Sequence, residues 1–161
     1  MSSVVGIDLS SRAVDLAKLD ESADHAIHTR ISLERDKRAK AWDRTLLVPE
    51  LMPKAGYWDD VYLVAIEIPF GAGTGAVAGI NRVVGAVAAS LPAQLREPYR
   101  CWAVRPGEWR TWLGLHGKPD VQLIEQLGLV LEGPYAASQD ARDALCIAYY
   151  ARETNAAALA S

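Results

Sequence analysis

Cysteine is nearly absent from this chain, with two in 161 residues. Cys101 and Cys146 lie far apart, inside apolar runs and away from the three histidines, so neither a disulfide framework nor a Cys/His metal spacing can be drawn. They read as two small buried hydrophobes. His25 and His28 form H-x-x-H with no Cys or third His nearby, and the alternation around them places His28 with Arg30 and Ser32 on the open side of a hairpin, which argues against zinc. A long apolar run is also missing. The most apolar stretch, Gly71 to Ala93, is interrupted by Asn81 and Arg82, and Met1-Ser2-Ser3 lacks the basic start of a signal peptide, so the expectation is a cytoplasmic protein with no membrane partner. Low-complexity tracts, which would suggest disorder or fibre, are lacking too. Neither sign of charge dominates. Lys and Arg number 17 against 20 Asp and Glu, a net −3 that weighs slightly against unspecific nucleic-acid binding through phosphate neutralisation.

What is present is ordinary for one globular domain: half the residues are hydrophobic and 23% are charged. A chain of this size buries roughly 70% of its unfolded surface. Val4 to Asp8 and Ala13 to Leu19, joined by a Ser10-Ser11 turn, read as a hairpin, with His25 to Leu33 as a third antiparallel strand. A helix over about 35–52 ends at Pro53 and Gly56. Val61 to Ile68 is the near-continuous β-branched run of a strand buried on both faces. Beyond the Pro69 and Gly71–Gly75 loop, a helix of small residues covers Ala76 to Leu91, and Arg100 to Val104 is the next strand. Pro106 opens a short helix through Trp112, Pro119 opens another reaching Leu131, Gly133-Pro134 breaks it, and Ser138 begins a last helix through about Glu153. The expected fold is α/β: a mixed five-stranded sheet, three antiparallel strands and then parallel ones, with helices on both faces.

Two basic stretches stand out. One holds Arg30, Arg35, Lys37, Arg38, Lys40 and Arg44; the other holds Arg96, Arg100, Arg105, Arg110 and Lys118. Taken alone, both are solvated faces. Trp42, Trp58 and Trp102 read as core or interface. Trp109 and Trp112, interleaved with Arg105 and Arg110, are weighed between packing and contact with DNA or a dimer partner, with packing favoured.

Four acids stand where apolar residues are expected. Asp8 closes the first strand, and Glu67 is the only charge in Val61 to Ile68. In the last helix Asp140, Ala144, Ile147, Ala148 and Ala151 recur with helical spacing, so Asp140 shares the sheet-facing stripe with Asp143 beside it. One such acid is ordinary at a helix N-terminus. Four at the ends of core elements repel one another unless a divalent cation neutralises them, and an all-oxygen donor set suits magnesium or manganese. Two such ions roughly 3.5–4 Å apart suit in-line attack on a phosphodiester.

Gly6-Ile7-Asp8, Ala65-Ile66-Glu67 followed by Phe70, and Asp140-Ala141-Arg142-Asp143-Ala144-Leu145 resemble, in order and spacing, the three motifs of RuvC-type Holliday-junction resolvases in the ribonuclease H-like superfamily. Lys118 with Val121-Gln122 resembles that family's K-x-x-V-Q. Leu9-Ser10 stands where the family usually has Pro-Gly. The resemblance implies a ribonuclease H-like fold and a homodimeric, Mg²⁺-dependent endonuclease, Mn²⁺ substituting, that nicks four-way DNA junctions symmetrically, and cuts forks and flaps as well if encoded by a bacteriophage. Asp8, Glu67, Asp140 and Asp143 would hold about two ions per site. Lys118 would contact phosphate, Phe70 would probe the junction, and Arg105 and Arg110 would add DNA contacts. Two other readings stay open: a structure-specific DNA-binding protein with weak or no catalysis, and a ribonuclease of the same fold.

Overall fold

The first three strands form a meander in the computed structural model, which describes residues 2–10, 12–34, 41–69 and 75–159. Strand β1 (Ser3–Leu9) pairs antiparallel with β2 (Ala13–Asp20), and β2 pairs antiparallel with β3 (His25–Ser32). Helix α1 (Ala41–Leu51) and the single turn α2 (Ala55–Trp58) then lead to β4 (Val61–Glu67), which lies parallel to β1. Helix α3 (Gly75–Ser90) returns the chain to β5 (Cys101–Val104), parallel to β4. Helix α4 (Pro106–Trp112), helix α5 (Val121–Gln126), β6 (Val130–Glu132) and the long α6 (Gln139–Leu159) complete the order.

Among the described residues the sheet has six strands in the order β5-β4-β1-β2-β3-β6. The five-strand expectation is corrected by β6, which takes the place of the tail of the helix expected from Pro119 to Leu131. That helix stops at Gln126 because Gly128 takes a positive φ of 69°, a conformation glycine adopts without strain. Released from the helix, Val130–Glu132 adds parallel to the open edge of β3. The start of the helix expected from Arg35, with Lys37, Arg38 and Lys40, lies outside the described residues; the described helix begins at Ala41, and Gly56 falls within α2.

Pleating sends alternate residues of each strand to opposite layers. One layer packs Val5, Ile7, Val14, Leu16, Val64 and Ile66 against Val48 of α1, Met52 just beyond it, and Val83 and Val87 of α3. The other packs Val4, Ala17, Leu19, Leu63 and Ala65 against Ala144, Leu145, Ile147, Ala148 and Ala151 of α6, with Trp109 and Ile124 at its flank. Gly6 governs how deeply α6 settles. A Cβ there would stand 2.1 Å from the Ala144 carbonyl oxygen and 2.4 Å from the Ala148 nitrogen, so only a residue without a side chain lets the helix backbone rest on β1. The Ser138 hydroxyl accepts the Ala141 N–H at 3.2 Å and caps the start of α6.

The hairpin strand differs from its expected exposure. His28 is 2% exposed, whereas Ile27 is 53% exposed, because the His28 face of β3 lies under the α6 layer and beside Gly133. Cys146 is buried and Cys101 half-buried, both as free thiols. Trp58 and Trp109 are core. Trp102 is partly buried, and Trp112, half exposed, packs edge-on against Tyr149 and Tyr150.

Candidate functional site

The sheet register sets up a row of charges along the α6 face. Asp8 on β1 is the ladder partner of Asp15 on β2, and Asp15 is the ladder partner of Arg30 on β3. On the other side, Ile7 is matched with Ile66 in the parallel β1–β4 pair, so one further step brings Asp8 beside Glu67. Directly opposed residues point to the same side of a sheet, and this row therefore looks toward the first turn of α6. Asp140 enters from that turn and Asp143 from the start of the next. The buried one is Asp143, at 5% exposure; Asp140 stands at the rim with its side chain 42% exposed. Both lie on the expected sheet-facing stripe, Asp140 four and eight residues before the buried Ala144 and Ala148 and Asp143 four and eight before Ile147 and Ala151. Asp140 is the more exposed because it stands nearer the open end of the helix.

Each acid is held by a different group. The Leu9 N–H donates to Asp8 Oδ1 at 2.9 Å, and the Trp109 indole donates to Glu67 Oε2 at 2.7 Å. Gln139 Nε2 donates to Asp143 Oδ1 at 2.7 Å and to the Pro119 carbonyl at 2.9 Å, while Arg110 reaches Asp143 Oδ2 at 3.5 Å. Arg30 stands 3.4 Å from Asp140 Oδ2. Among the described residues, no three His, Cys, Asp or Glu side chains converge tightly enough in this structure to hold a metal ion between them.

The acids are close enough to disturb one another electrostatically. Burial, then the charges of Glu67, Asp143 and Asp140, push the Asp8 carboxyl from the ordinary 3.8 up to about 8, against the pull of the Leu9 N–H. Burial raises Glu67 despite the Trp109 hydrogen bond and the charges of Arg110 and Lys118. Burial likewise raises Asp143 despite Gln139, Arg110 and Lys118. Positive charge from the protein is therefore insufficient to keep these carboxyls in their usual range. A hard divalent cation would reverse that balance, and four carboxylates provide the oxygen donors it prefers.

The remaining expected site residues are spread around this centre. Lys118 is exposed on the segment before α5, yet its charge is felt by both Glu67 and Asp143. Arg110 lies over the Trp109 ring, 4.7 Å from its centroid, and faces Asp143. Arg105 is exposed just before α4, its backbone N–H donating to Glu108 at 2.6 Å. Phe70 lies outside the described residues. Trp109 packs in the core, as favoured, and is also the partner of Glu67. Gln139 and Asp15 join the site unannounced by the sequence reading, while His28 and Arg30, expected on the open side of a hairpin and in a basic stretch, enter it through Asp15. Asp15 alone had a usable signal: pairing outward from the Ser10–Ala13 turn matches Leu9 with Val14 and so Asp8 with Asp15. Among the described residues, His25 and His28 share no metal cluster; His25 faces Glu132 at 3.3 Å and His28 faces Asp15 at 2.8 Å.

No protein-family model and no curated protein sequence matches this chain. Solved structures do. RuvC of T. thermophilus in complex with a Holliday junction substrate matches with a TM-score of 0.66 and 18% identity, over 97% of this chain and 96% of that one. The fold is that of RuvC-type resolvases. A second T. thermophilus RuvC structure gives 0.61 at 18% identity over 96% of both chains, and the yeast mitochondrial Holliday junction resolvase Ydc2 gives 0.64 at 15% over 96% of this chain and 81% of that one. At this identity the likeness carries the RuvC-type architecture, with its mixed sheet between helical layers, and the site rests on its own geometry.

Proposed function

We propose that this chain is a divalent-cation-dependent endonuclease that resolves four-way DNA junctions by symmetric phosphodiester hydrolysis. The observation that carries this reading is the gathering of Asp8, Glu67, Asp140 and Asp143 from three elements at one end of the sheet, with Asp8 driven up to about 8 by burial and its three neighbours. Such a constellation is costly in a protein that only binds DNA, because it repels the phosphates it must approach. The RuvC-type fold, shared with a protein solved on a Holliday junction substrate, supports the choice of branched DNA.

The four carboxylates would hold Mg²⁺, about two ions, with Mn²⁺ as substitute. Bound there, the ions would offset the charge of the scissile phosphate and favour ionisation of an attacking water. The chain's own residues have separable roles. Trp109 orients Glu67 from behind and, being fully buried, closes that side to water. Gln139 ties Asp143 to the Pro119 carbonyl and fixes its direction. Lys118 and Arg110 bring cationic groups to the rim, where a DNA phosphate would find them. Arg105 extends that basic edge, and Phe70, beyond the Glu67 strand, supplies a ring to stack on a base at the junction.

Paired incision of a symmetric substrate calls for two related centres, hence a twofold homodimer. Helix α3, where Gly79 and Gly85 face open space, offers the close-approach surface. Light scattering at assay concentration tests this; a monomer that still makes paired nicks would exclude it.

The deciding experiment compares a synthetic four-way junction, a linear duplex and an RNA–DNA hybrid in Mg²⁺, Mn²⁺, Ca²⁺ and chelator. Junction cutting is expected in Mg²⁺ and Mn²⁺, with binding alone in Ca²⁺. Robust cutting in chelator would overturn the metal-dependent reading, and preferential cutting of the hybrid would indicate a ribonuclease. One observation favours a non-cleaving binder: Arg30 and Arg110 already engage Asp140 and Asp143. Junction binding without cutting in either active cation would establish it.

A further inference from the structure

The α6 face of β2 and β3 carries a buried ionic chain that leads into the site. Asp15, its side chain 3% exposed, is held at 2.8 Å by Nε2 of His28, whose side chain is fully buried. The neighbouring turn seals this pair. A Cβ on Gly133, which has a φ of 139°, would stand 2.6 Å from the His28 carbonyl oxygen, so the backbone closes over the histidine where a side chain would not fit. Asp15 therefore has a fixed position. Arg30 does not share that rigidity: its side chain is 26% exposed, and its guanidinium lies beside the Tyr135 ring, 5.6 Å from the centroid.

Arg30 Nη1 stands 3.5 Å from Asp15 Oδ1 and 3.4 Å from Asp140 Oδ2. Both are long for hydrogen bonds, so the guanidinium is shared between two anions by Coulomb attraction rather than committed to one. One anion is immobile and buried; the other is a rim carboxylate free to turn toward a cation. We infer that Asp15 and Arg30 are positioning residues that set how strongly Asp140 binds a divalent cation, Asp15 drawing the Arg30 charge away from Asp140 so that this carboxylate stays available. The inference rests on the proposed metal-binding role of Asp140. Neither residue touches substrate or cation in this account.

The two residues act with opposite sign. Removing the Arg30 charge leaves Asp140 without its competitor, and cation affinity rises. Neutralising Asp15 leaves Arg30 wholly to Asp140, and affinity falls. Loss of packing alone would weaken binding in both variants.

The test is calorimetric titration of the DNA-free protein with Ca²⁺, alongside junction cleavage as a function of Mg²⁺. Arg30→Gln should tighten Ca²⁺ binding about three- to tenfold, Asp15→Asn should weaken it by a similar factor, and Arg30→Lys, which keeps the charge, should lie within about twofold of the parent protein. In the Asp15→Asn/Arg30→Gln double variant, most of the Asp15→Asn penalty should vanish, because it acts through Arg30. Unchanged or weaker binding in Arg30→Gln would overturn the inference, and this variant, at a partly exposed position, decides even if Asp15→Asn misfolds. An Asp15→Asn penalty undiminished in the double variant would also overturn it, by making Asp15 act on the cation directly. If the parent protein binds Ca²⁺ and cuts in Mg²⁺ while these shifts are absent, only this inference falls. If it neither binds Ca²⁺ nor cuts, the nuclease reading falls with it.

Discussion

Ser3 and Asp8 belong to the same strand, but the carboxylates around them are treated in opposite ways. Beside Ser3, Asp60 accepts the serine hydroxyl at 2.7 Å and pairs with Lys18, whose ammonium also donates to the Tyr57 carbonyl at 2.7 Å. Burial works to raise Asp60, but the Lys18 and Ser3 hydrogen bonds prevail and hold it below the usual carboxylate range. At the same end Arg152 donates to Asp24 and Glu153 at 2.8 Å each and to the Asp20 carbonyl at 3.1 Å. Beside Asp8, burial and mutual repulsion raise Asp8, Glu67 and Asp143. One end of the sheet uses its charges to stabilise the fold; the other keeps charges that oppose it. Uncompensated carboxylates of that kind mark a place where function takes precedence over stability.

The sharpest way to break this contrast is Asp8→Asn. Nicking of four-way junctions should fall to background while junction binding persists or strengthens, because the variant removes a proposed cation ligand together with an acid that phosphate must approach. The melting temperature of the same variant in chelator at neutral pH should rise, since the buried Asp8 must take up a proton or ionise beside other acids, and either costs stability above pH 3.8. Near-parental cutting would remove Asp8 from the site. Gly6→Ala tests the packing that brings α6 to the acids. With its Cβ at 2.1 Å from a backbone oxygen, the variant should lose about 3 kcal/mol or more in urea titrations, and a loss below 1 kcal/mol would mean that the helix can shift freely.

The pH dependence should separate the two ends. Asp8 is raised from 3.8 to about 8, so between those values the folded protein binds more protons than the unfolded chain, and in chelator its stability should fall as pH climbs through that window. Asp8→Asn should flatten the decline, and Mg²⁺ at pH 8 should recover much of it; a melting temperature constant from pH 5 to 8 in chelator would contradict this. Asp60 has the opposite sign. Its carboxyl is lowered, so its contribution is present above pH 3.8 and is lost as pH drops through the folded value. The smallest effect belongs to Lys18→Met. Asp60 is 37% exposed and screened by solvent, so the loss should stay under about 1 kcal/mol, and a larger value by urea titration would show that this end is more than a surface ion pair.

Much of the fold was legible because local pattern and tertiary role agreed. The limits of α4 and nearly those of α3 follow from Pro106 and from the glycine loop before Ala76, and the β-branched run to Glu67 is the central strand it resembles. The readings that failed did so where another element supplied the context. Leu127, Val130 and Leu131 have helical spacing, and only Gly128 and the open edge of β3 turn the last two into a strand. His28 alternates with Ile27 and Ile31 as a solvent-facing residue should, but α6 and the Gly133 turn cover that face.

The sequence by itself determined where the four acids fall, each near the end of a strand or near the start of a helix, and that Gly6 precedes the first of them by two residues. These are properties of spacing along the chain, and periodicity makes them readable. Tertiary structure alone decided which groups face those acids: Trp109 behind Glu67, Gln139 and Arg110 on Asp143, and the buried Asp15–His28 pair sharing Arg30 with Asp140. Coulomb and hydrogen-bond energies depend on distance through space and on burial, and Arg30 and Asp140, 110 positions apart in the chain, become neighbours only once α6 lies across the sheet.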